Sequence, residues 1–422
     1  MFKKTTLKND LRIVTVPDRR SRAVTVLVLV GTGSKYEKKE TSGISHLLEH
    51  LLFKGTKKKP CSVDVVEPLD RVGGVYNAFT SEECTGYYAK VGTKHFNLAL
   101  DVISDIYLNS KLDSKEIKKE KGVIIEEINM YQDHPASYVQ VLWNKTLYGD
   151  QPAGWDVAGT KEGVLRISRQ EILDYMKNQY VASNTVVCIA GDIPKETQVI
   201  NKIKKYFSKI KTKESQDKPL VVENQISPQC LLHQKQTDQT HFCLGVRGYN
   251  IFHPQRYTQE VLAVLLGGMM SSRLFVKIRE ELGLAYYIKA ISSSDTDTGC
   301  LVAQTGVDNG KVEKAISAIL KEYKKISQKP VSLKELKKAK DNLKGKMALL
   351  LETSDAQASF YSLQEILQKK TLTPEEIYDK ISKVTSQDVF KIAQDIFKPE
   401  KLNLAIIGPF KDKLKFQKLL KI

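Results

Sequence analysis

An internal repeat constrains the fold of this chain more than any other feature of its sequence. Residues 167–191 and 384–408 align without a gap at an offset of 217 positions. Each segment reads as an amphipathic helix, a turn and an apolar strand that ends at a glycine. Strand-like runs at 26–33 and 242–248 recur at nearly the same offset. The sequence therefore predicts an α+β fold of two homologous domains, each a mixed β-sheet flanked by helices.

The expected domains occupy residues 1–212 and 225–422, on either side of a polar linker at 213–224. Apolar runs predict strands at 12–16, 24–31, 85–91, 185–190, 241–247, 285–292, 299–305 and 402–407. Helical periodicity predicts helices at 43–54, 62–72, 95–109, 114–132, 169–178, 195–207, 256–268, 271–281, 310–326, 332–352, 354–368, 374–383 and 386–396.

The net charge of +17, from 66 basic against 49 acidic residues, raises the question of a nucleic-acid partner. Lysine-rich stretches such as 335–346 are more typical of solvated helix faces than of binding sites. The sequence contains no aromatic-interleaved basic motif, helix-turn-helix pattern or zinc-finger spacing. We therefore expect no nucleic-acid partner.

Cysteine usage and the apolar runs bear on location. The six cysteines are scattered without a C-x-x-C pair, which favours a reducing compartment over a disulfide framework. No apolar signal-peptide core follows the N-terminus, and the longest apolar run, 24–30, is far too short to span a bilayer. We expect a cytoplasmic protein with no membrane partner.

The strongest chemical signal is His46-Leu47-Leu48-Glu49-His50. Histidines at i and i+4 lie on one face of a helix and can share a metal ion, and Glu49 is close enough to reach a water on that metal. This is the H-x-x-E-H pattern of the inverzincin proteases. The alternative is a hydrogen-bonded core cluster without a metal. The surrounding leucines predict burial, which is costly for unpartnered imidazoles and carboxylates, so we favour zinc.

Catalytic zinc takes three protein ligands and keeps one open position. The helix predicted from Ser114 carries Glu120 and Glu127, which are seven residues apart and therefore share a face. Glu126 points about 100° away from Glu127. Spacing alone leaves two interpretations open: the pair faces the metal, or it belongs to a solvated stripe on an amphipathic helix.

The chain resembles the pitrilysin-type zinc peptidases, in particular the branch that contains the mitochondrial processing peptidase and its bacterial relatives. The likeness runs nearly end to end and includes the motifs at 33–37, 42–56, 73–80, 85–88 and 123–128. It implies that Glu127, 77 positions after His50, is the third ligand of one Zn²⁺ per chain. It also implies that Glu120 supports the site and that Glu49 acts as the general base of a zinc metalloendopeptidase.

The resemblance extends to substrate contacts. It implies that Arg279 and Tyr286 contact the substrate, whereas the residues alone favour an exposed arginine at a helix end and a packed strand tyrosine. It also implies an edge strand that pairs with the backbone of a peptide substrate by strand addition, formed by Asn77, Ala78, Phe79 and Thr80.

The function predicted from this resemblance is hydrolysis of peptides or short unfolded segments inside a closed chamber. The second domain lacks H-x-x-E-H, as expected after duplication and loss of the metal site. In some relatives the metal motif and the Arg–Tyr pair lie on different polypeptides; both are present here, and we expect a homodimer. The alternative is a non-catalytic structural subunit of a protease or membrane complex, as in relatives that have lost zinc ligands.

Overall fold

The computed structural model describes residues 2–422. Its strands are β1 Lys3–Thr6, β2 Arg12–Pro17, β3 Ala23–Val30, β4 Val75–Thr80, β5 Thr85–Gly92, β6 Thr185–Gly191, β7 Gln229–Gln234, β8 Gln239–Arg247, β9 Ala285–Ser294, β10 Gly299–Asp308 and β11 Leu402–Gly408. They form two sheets, and each sheet belongs to one of two compact units into which the chain divides.

The α-helices include a run of five between β5 and β6 and another run of five between β10 and β11. They are α1 Ile44–Leu52, α2 Ser62–Asp70, α3 Phe96–Asn109, α4 Ser114–Asp133, α5 Pro135–Tyr148, α6 Lys161–Arg166, α7 Arg169–Gln179, α8 Glu196–Phe207, α9 Arg256–Gly267, α10 Val312–Ile326, α11 Leu333–Leu350, α12 Ser354–Gln368, α13 Pro374–Lys383, α14 Ser386–Ile396 and α15 Lys413–Gln417. Over residues 2–422, every helix is too short or too polar to cross a bilayer.

The first compact unit contains residues 2–128, 156–219 and 348–373. Its sheet has the strand order β1-β2-β6-β3-β5-β4, in which β2 and β6 are parallel and all other neighbours are antiparallel. The central strands β3 and β6 are almost continuously apolar and buried, which is the pattern of strands covered on both faces. Strand β4 lies at one edge of this sheet.

The second compact unit contains residues 129–155, 220–347 and 374–422. Its sheet has the order β7-β11-β8-β10-β9, with β7 and β11 parallel and the other neighbours antiparallel. In chain order, the five strands β7 to β11 correspond to β2 to β6 of the first unit. The order β7-β11-β8-β10-β9 therefore repeats the order β2-β6-β3-β5-β4. The predicted α+β fold with two similar mixed sheets is therefore confirmed.

Each sheet is covered by a helix that comes from the other half of the sequence. In the first unit α12 packs on β6 and β3, where its apolar face joins the cluster of Leu27, Leu29, Val186, Ala358, Tyr361 and Ile366. In the second unit α5 packs on β11 and β8, in the cluster of Val139, Leu142, Trp143, Cys243 and Ala405. The compact units are therefore not contiguous in sequence, although residues 213–224 contain neither helix nor strand.

Most elements predicted from the sequence occur within a few residues of their expected limits. The periodicity analysis misses β1, β4, β7, α5, α6 and α15, and the helix predicted at 271–281 includes a π-helix at Phe275–Glu281. Helix α5 has Pro135 in its first turn, a helix-start signal that hydrophobic periodicity does not use.

Candidate metal centre

Helix α1 presents its two histidines on one side while its leucines enter the core. Its buried apolar residues are Ile44, Leu47, Leu48, Leu51 and Leu52. His46 and His50 lie one turn apart on the less buried side, with ring centroids 4.7 Å apart and ring planes at 73°. The apolar stripe of α1 faces the core, which fixes the rotation of the helix about its axis. His46 and His50 lie outside this stripe and therefore point to the less buried side.

Helix α4 brings Glu127 to both imidazoles. Its Oε2 lies 3.6 Å from Nε2 of His46 and 3.5 Å from Nε2 of His50. The three candidate ligand atoms all lie within 4.8 Å of one another. A tetrahedral zinc with bonds of about 2.0–2.1 Å separates its ligand atoms by roughly 3.4 Å, so these residues fit the ion. Of the two adjacent glutamates, Glu127 is the one that joins the histidines in this group.

Glu120 lies behind His50 on the same face of α4. Its Oε2 is 3.2 Å from Nδ1 of His50, and its Oε1 is 2.9 Å from Nζ of Lys54. A carboxylate on Nδ1 leaves Nε2 of His50 as the nitrogen available to a metal, which is a common arrangement in zinc sites. Burial raises the pKa of Glu120, but hydrogen bonds from His50 and Lys54 outweigh it and hold that pKa below its usual value.

The two histidines differ in pKa. Burial lowers the pKa of His46 to about 4, reinforced by repulsion from His50. Burial also disfavours a charge on His50, but its contacts with Glu120 and Glu127 raise its pKa to about 9. Nδ1 of His46 is buried and has no hydrogen-bond partner among residues 2–422, so His46 lacks the support that Glu120 gives His50.

Glu49 lies between the histidines in sequence and contacts strand β4. Its Oε2 accepts a hydrogen bond of 2.6 Å from Oγ1 of Thr80, the last residue of β4. Burial raises the pKa of Glu49, partly opposed by this hydrogen bond and by the charge of His50. A half-buried carboxylate with a raised pKa is suited to accept and return a proton.

The remaining predicted residues of β4 lie along the open edge of the first sheet. Asn77, Ala78 and Phe79 pair with β5 on one side only, because β4 is the last strand in the order. Asn77 is exposed, and its Oδ1 accepts a hydrogen bond from the backbone N–H of Ala78. An edge strand has unpaired backbone groups that can bind another extended chain.

Arg279 and Tyr286 contact each other in the second compact unit. Nη1 of Arg279 donates a 3.0 Å hydrogen bond to the carbonyl oxygen of Tyr286, and its guanidinium lies 4.9 Å from the ring centroid of that tyrosine. Tyr286 is the second residue of the edge strand β9 and is 80% exposed. The structure thus contradicts the packed tyrosine that the residues alone favoured.

Three residues around the site were not predicted from the sequence as site residues: Glu37, Lys54 and Tyr175. Glu37 accepts hydrogen bonds from the start of α1, Lys54 pairs with Glu120, and Tyr175 contacts Ser45. Glu37 and Lys54 both lie in segments that carry the family resemblance, so a signal was present for them. No sequence signal pointed to Tyr175.

Comparison with known proteins identifies two family matches. Residues 12–161 match the model described as Insulinase (Peptidase family M16), and residues 166–343 match the model described as Peptidase M16 inactive domain. The half that carries His46, Glu49, His50 and Glu127 is therefore the half that matches the insulinase model.

Similar proteins extend over almost the whole chain. A Bacillus subtilis (strain 168) protein named Uncharacterized zinc protease YmxG is 36% identical over 410 residues, covering 97% of this chain and 98% of its own. A Streptomyces coelicolor protein, Uncharacterized zinc protease SCO5738, is 31% identical over 417 residues, covering 97% and 90%.

Solved structures share the fold. The crystal structure of a protease from Helicobacter pylori has a TM-score of 0.89 at 24% identity and covers 97% of this chain and 99% of that one. A chain of complex III2 from Candida albicans has a TM-score of 0.84 at 19% identity and covers 100% of both chains.

Proposed function

Because the chain belongs to peptidase family M16, we propose that it is a zinc-dependent endopeptidase whose metal is held by His46, His50 and Glu127. The observation that carries the proposal is the convergence of these three side chains from α1 and α4, with their ligand atoms within 4.8 Å of one another. Glu49 belongs to the same helix as the histidines, so one rigid element presents both ligands and a base.

The zinc ion and the protein side chains have separate roles in the proposed peptide hydrolysis. Bound zinc supplies a Lewis acid that polarises the scissile carbonyl and lowers the pKa of water. Glu49 accepts the proton of the attacking water and delivers it to the nitrogen of the leaving amine. Glu120 holds Nδ1 of His50, which keeps the ring oriented and Nε2 free.

The substrate in this proposal is a peptide or short unfolded segment bound in an extended conformation. Strand β4 supports it, because its free edge offers backbone donors and acceptors beside Glu49. Tyr286, which is 80% exposed, and Arg279 are proposed as contacts to the peptide substrate.

We also propose that the enzyme is a cytoplasmic homodimer. The six cysteines are scattered along the sequence without a C-x-x-C pair, which supports a reducing compartment. The dimer rests on the family resemblance and is tested by light scattering of the purified chain. The alternative, a non-catalytic structural subunit, is disfavoured because such a subunit has no need for a complete ligand set and a base.

Zinc analysis and peptide hydrolysis test the proposal together. Purified protein is expected to contain one zinc ion per chain and to cleave an unstructured fluorogenic peptide. Chelation should abolish cleavage, and added Zn²⁺ should restore it. Protein that takes up no zinc, or that takes up zinc without any hydrolysis, contradicts the enzyme and favours the structural alternative.

A further inference from the structure

The N-terminus of α1 cannot be capped by its own N-cap residue. Gly43 occupies this position with φ of +93°, a conformation that favours glycine. A Cβ at position 43 would lie 2.7 Å from the carbonyl oxygen of Ala158, so no side chain fits there. The first N–H groups of the helix that carries both histidines therefore need a partner from elsewhere.

Glu37 provides that partner from six residues upstream. Its Oε2 accepts a 2.7 Å hydrogen bond from the N–H of Gly43, and its Oε1 accepts a 2.9 Å bond from the N–H of Ser45. The side chain is 3% exposed and forms no ion pair within residues 2–422. Burial raises the pKa of Glu37 to about 8, although hydrogen bonds from Ser45 and from the N–H of Gly43 oppose this rise.

Ser45 is held a second time through its side chain. Its Oγ lies 2.7 Å from the hydroxyl of Tyr175 on α7, and that hydroxyl also lies 2.7 Å from Oγ1 of Thr32. Ser45 directly precedes His46 in the chain. The backbone on which His46 is mounted is therefore restrained from two sides, whereas the ring nitrogen Nδ1 of His46 has no partner of its own among the described residues.

We propose that Glu37 and Tyr175 are positioning residues that act through Ser45 to aim His46 at the metal. A metal site needs its ligands held within about 0.5 Å of the working geometry, so a shift of the backbone at Ser45 should affect zinc binding. For His50 a carboxylate on Nδ1 fixes the ring directly, while for His46 the restraint comes from the backbone. The catalytic part of this inference rests on the proposed function, but the effect on zinc binding does not.

Zinc affinity measured by competition with a chromophoric chelator tests the inference on the purified full chain. Glu37→Gln keeps the size of the side chain but replaces one acceptor oxygen with an NH₂ group, and it is expected to weaken zinc binding about tenfold. Tyr175→Phe removes only the hydroxyl and should weaken zinc binding in the same direction. Glu40→Gln, an exposed glutamate in the same loop, is the matched control and should bind zinc as the wild type does.

Thermal unfolding and kinetics separate positioning from simple stabilisation. Positioning predicts lower zinc affinity and lower kcat at unchanged KM. A lower Tm with wild-type zinc affinity in Glu37→Gln would reduce its role to that of a helix cap and overturn the proposal. If Glu37→Gln does not fold, wild-type zinc affinity in Tyr175→Phe overturns it instead. If the wild type binds zinc but cleaves no peptide, the proposed function fails while the zinc comparison still decides this inference.

Discussion

The hydroxyl of Thr80 donates a 2.6 Å hydrogen bond to Oε2 of Glu49 and so joins the edge strand β4 to the candidate general base. The bond engages one carboxylate oxygen, and within residues 2–422 Oε1 has no hydrogen-bond partner and remains available for proton transfer. The strand proposed to bind the substrate backbone therefore also orients the group proposed to move the proton.

Replacing this hydroxyl should slow catalysis without weakening peptide binding. Thr80→Val keeps the shape of the side chain and the backbone pairing of β4 but removes the hydrogen bond to Glu49. Hydrogen bonds to charged groups contribute about 1.5–3 kcal/mol, so we expect kcat to fall roughly 10- to 100-fold at similar KM. Steady-state kinetics on one peptide measures this effect. Thr80→Ser, which keeps a hydroxyl, should retain most activity; equal rates for Thr80→Val and wild type would refute the role.

Glu49→Gln should separate zinc binding from proton transfer. The amide cannot accept the proton of water, and general-base catalysis is typically worth about 10²–10⁴-fold, so peptide cleavage should fall by at least that factor. Zinc content and Tm should stay near wild type, since Glu49 is not among the three ligand side chains. His50→Ala is the contrasting variant and should lose the metal. Activity of Glu49→Gln near the wild-type rate would exclude this residue as the base.

The adjacent residues Glu126 and Glu127 of α4 offer a matched pair of variants that tests which glutamate is the zinc ligand. Glu127 lies within reach of both imidazoles, and the ligand group formed with His46 and His50 contains Glu127 but not Glu126. Glu127→Gln should weaken zinc binding at least about 10-fold, whereas Glu126→Gln should leave it unchanged. Chelator competition on both proteins measures the difference. Weaker zinc binding in Glu126→Gln than in Glu127→Gln would reverse the ligand assignment.

Zinc binding should release about one proton at pH 7. Although burial opposes a charge on His50, its contacts with Glu120 and Glu127 raise the pKa to about 9, while burial lowers the pKa of His46 to about 4. Metal-free protein therefore carries a proton on His50 and none on His46, and zinc binds only neutral imidazole. Affinity should rise about tenfold per pH unit below about pH 9 and then level off.

Calorimetric titration with zinc in buffers of different ionisation enthalpy counts the released protons. Glu120→Gln removes one of the contacts that keep His50 charged, so its proton release at pH 7 should be smaller than that of the wild type. Release of two protons would mean that His46 is also charged in the metal-free protein, contrary to its burial.

The parts of the fold and of the site that could be predicted from the sequence are those marked by a repeat or by the spacing of nearby residues. The repeat at 217 residues predicts two similar sheets because equivalent segments fold alike, and the two sheets do share their strand order. The pair His46 and His50 is predictable because helical spacing alone brings them together. Glu127, 77 positions further on, required the resemblance to a known family.

The parts of the fold and the site that were missed depend on contacts that hydrophobic periodicity does not reveal. Glu37 binds backbone N–H groups, which leave no mark on the identity of Gly43 or Ser45 that periodicity could detect. Likewise, amphipathicity shows that α5 and α12 each have an apolar face, but not which sheet that face covers. Their exchange between the two halves became evident only from the packing.

This exchange predicts that neither half of the chain folds alone. A fragment of residues 1–219 lacks α12, so the faces of β3 and β6 that pack against Ala358, Tyr361 and Ile366 would be exposed. A fragment of residues 220–422 lacks α5 and would expose the opposing cluster around Cys243 and Ala405. Exposed apolar patches drive aggregation, so each fragment expressed alone should be insoluble or lack cooperative unfolding.

Co-expression of the two fragments should give a soluble 1:1 complex by size-exclusion chromatography. Cooperative thermal unfolding of the isolated 1–219 fragment would show that α12 is dispensable to the first sheet.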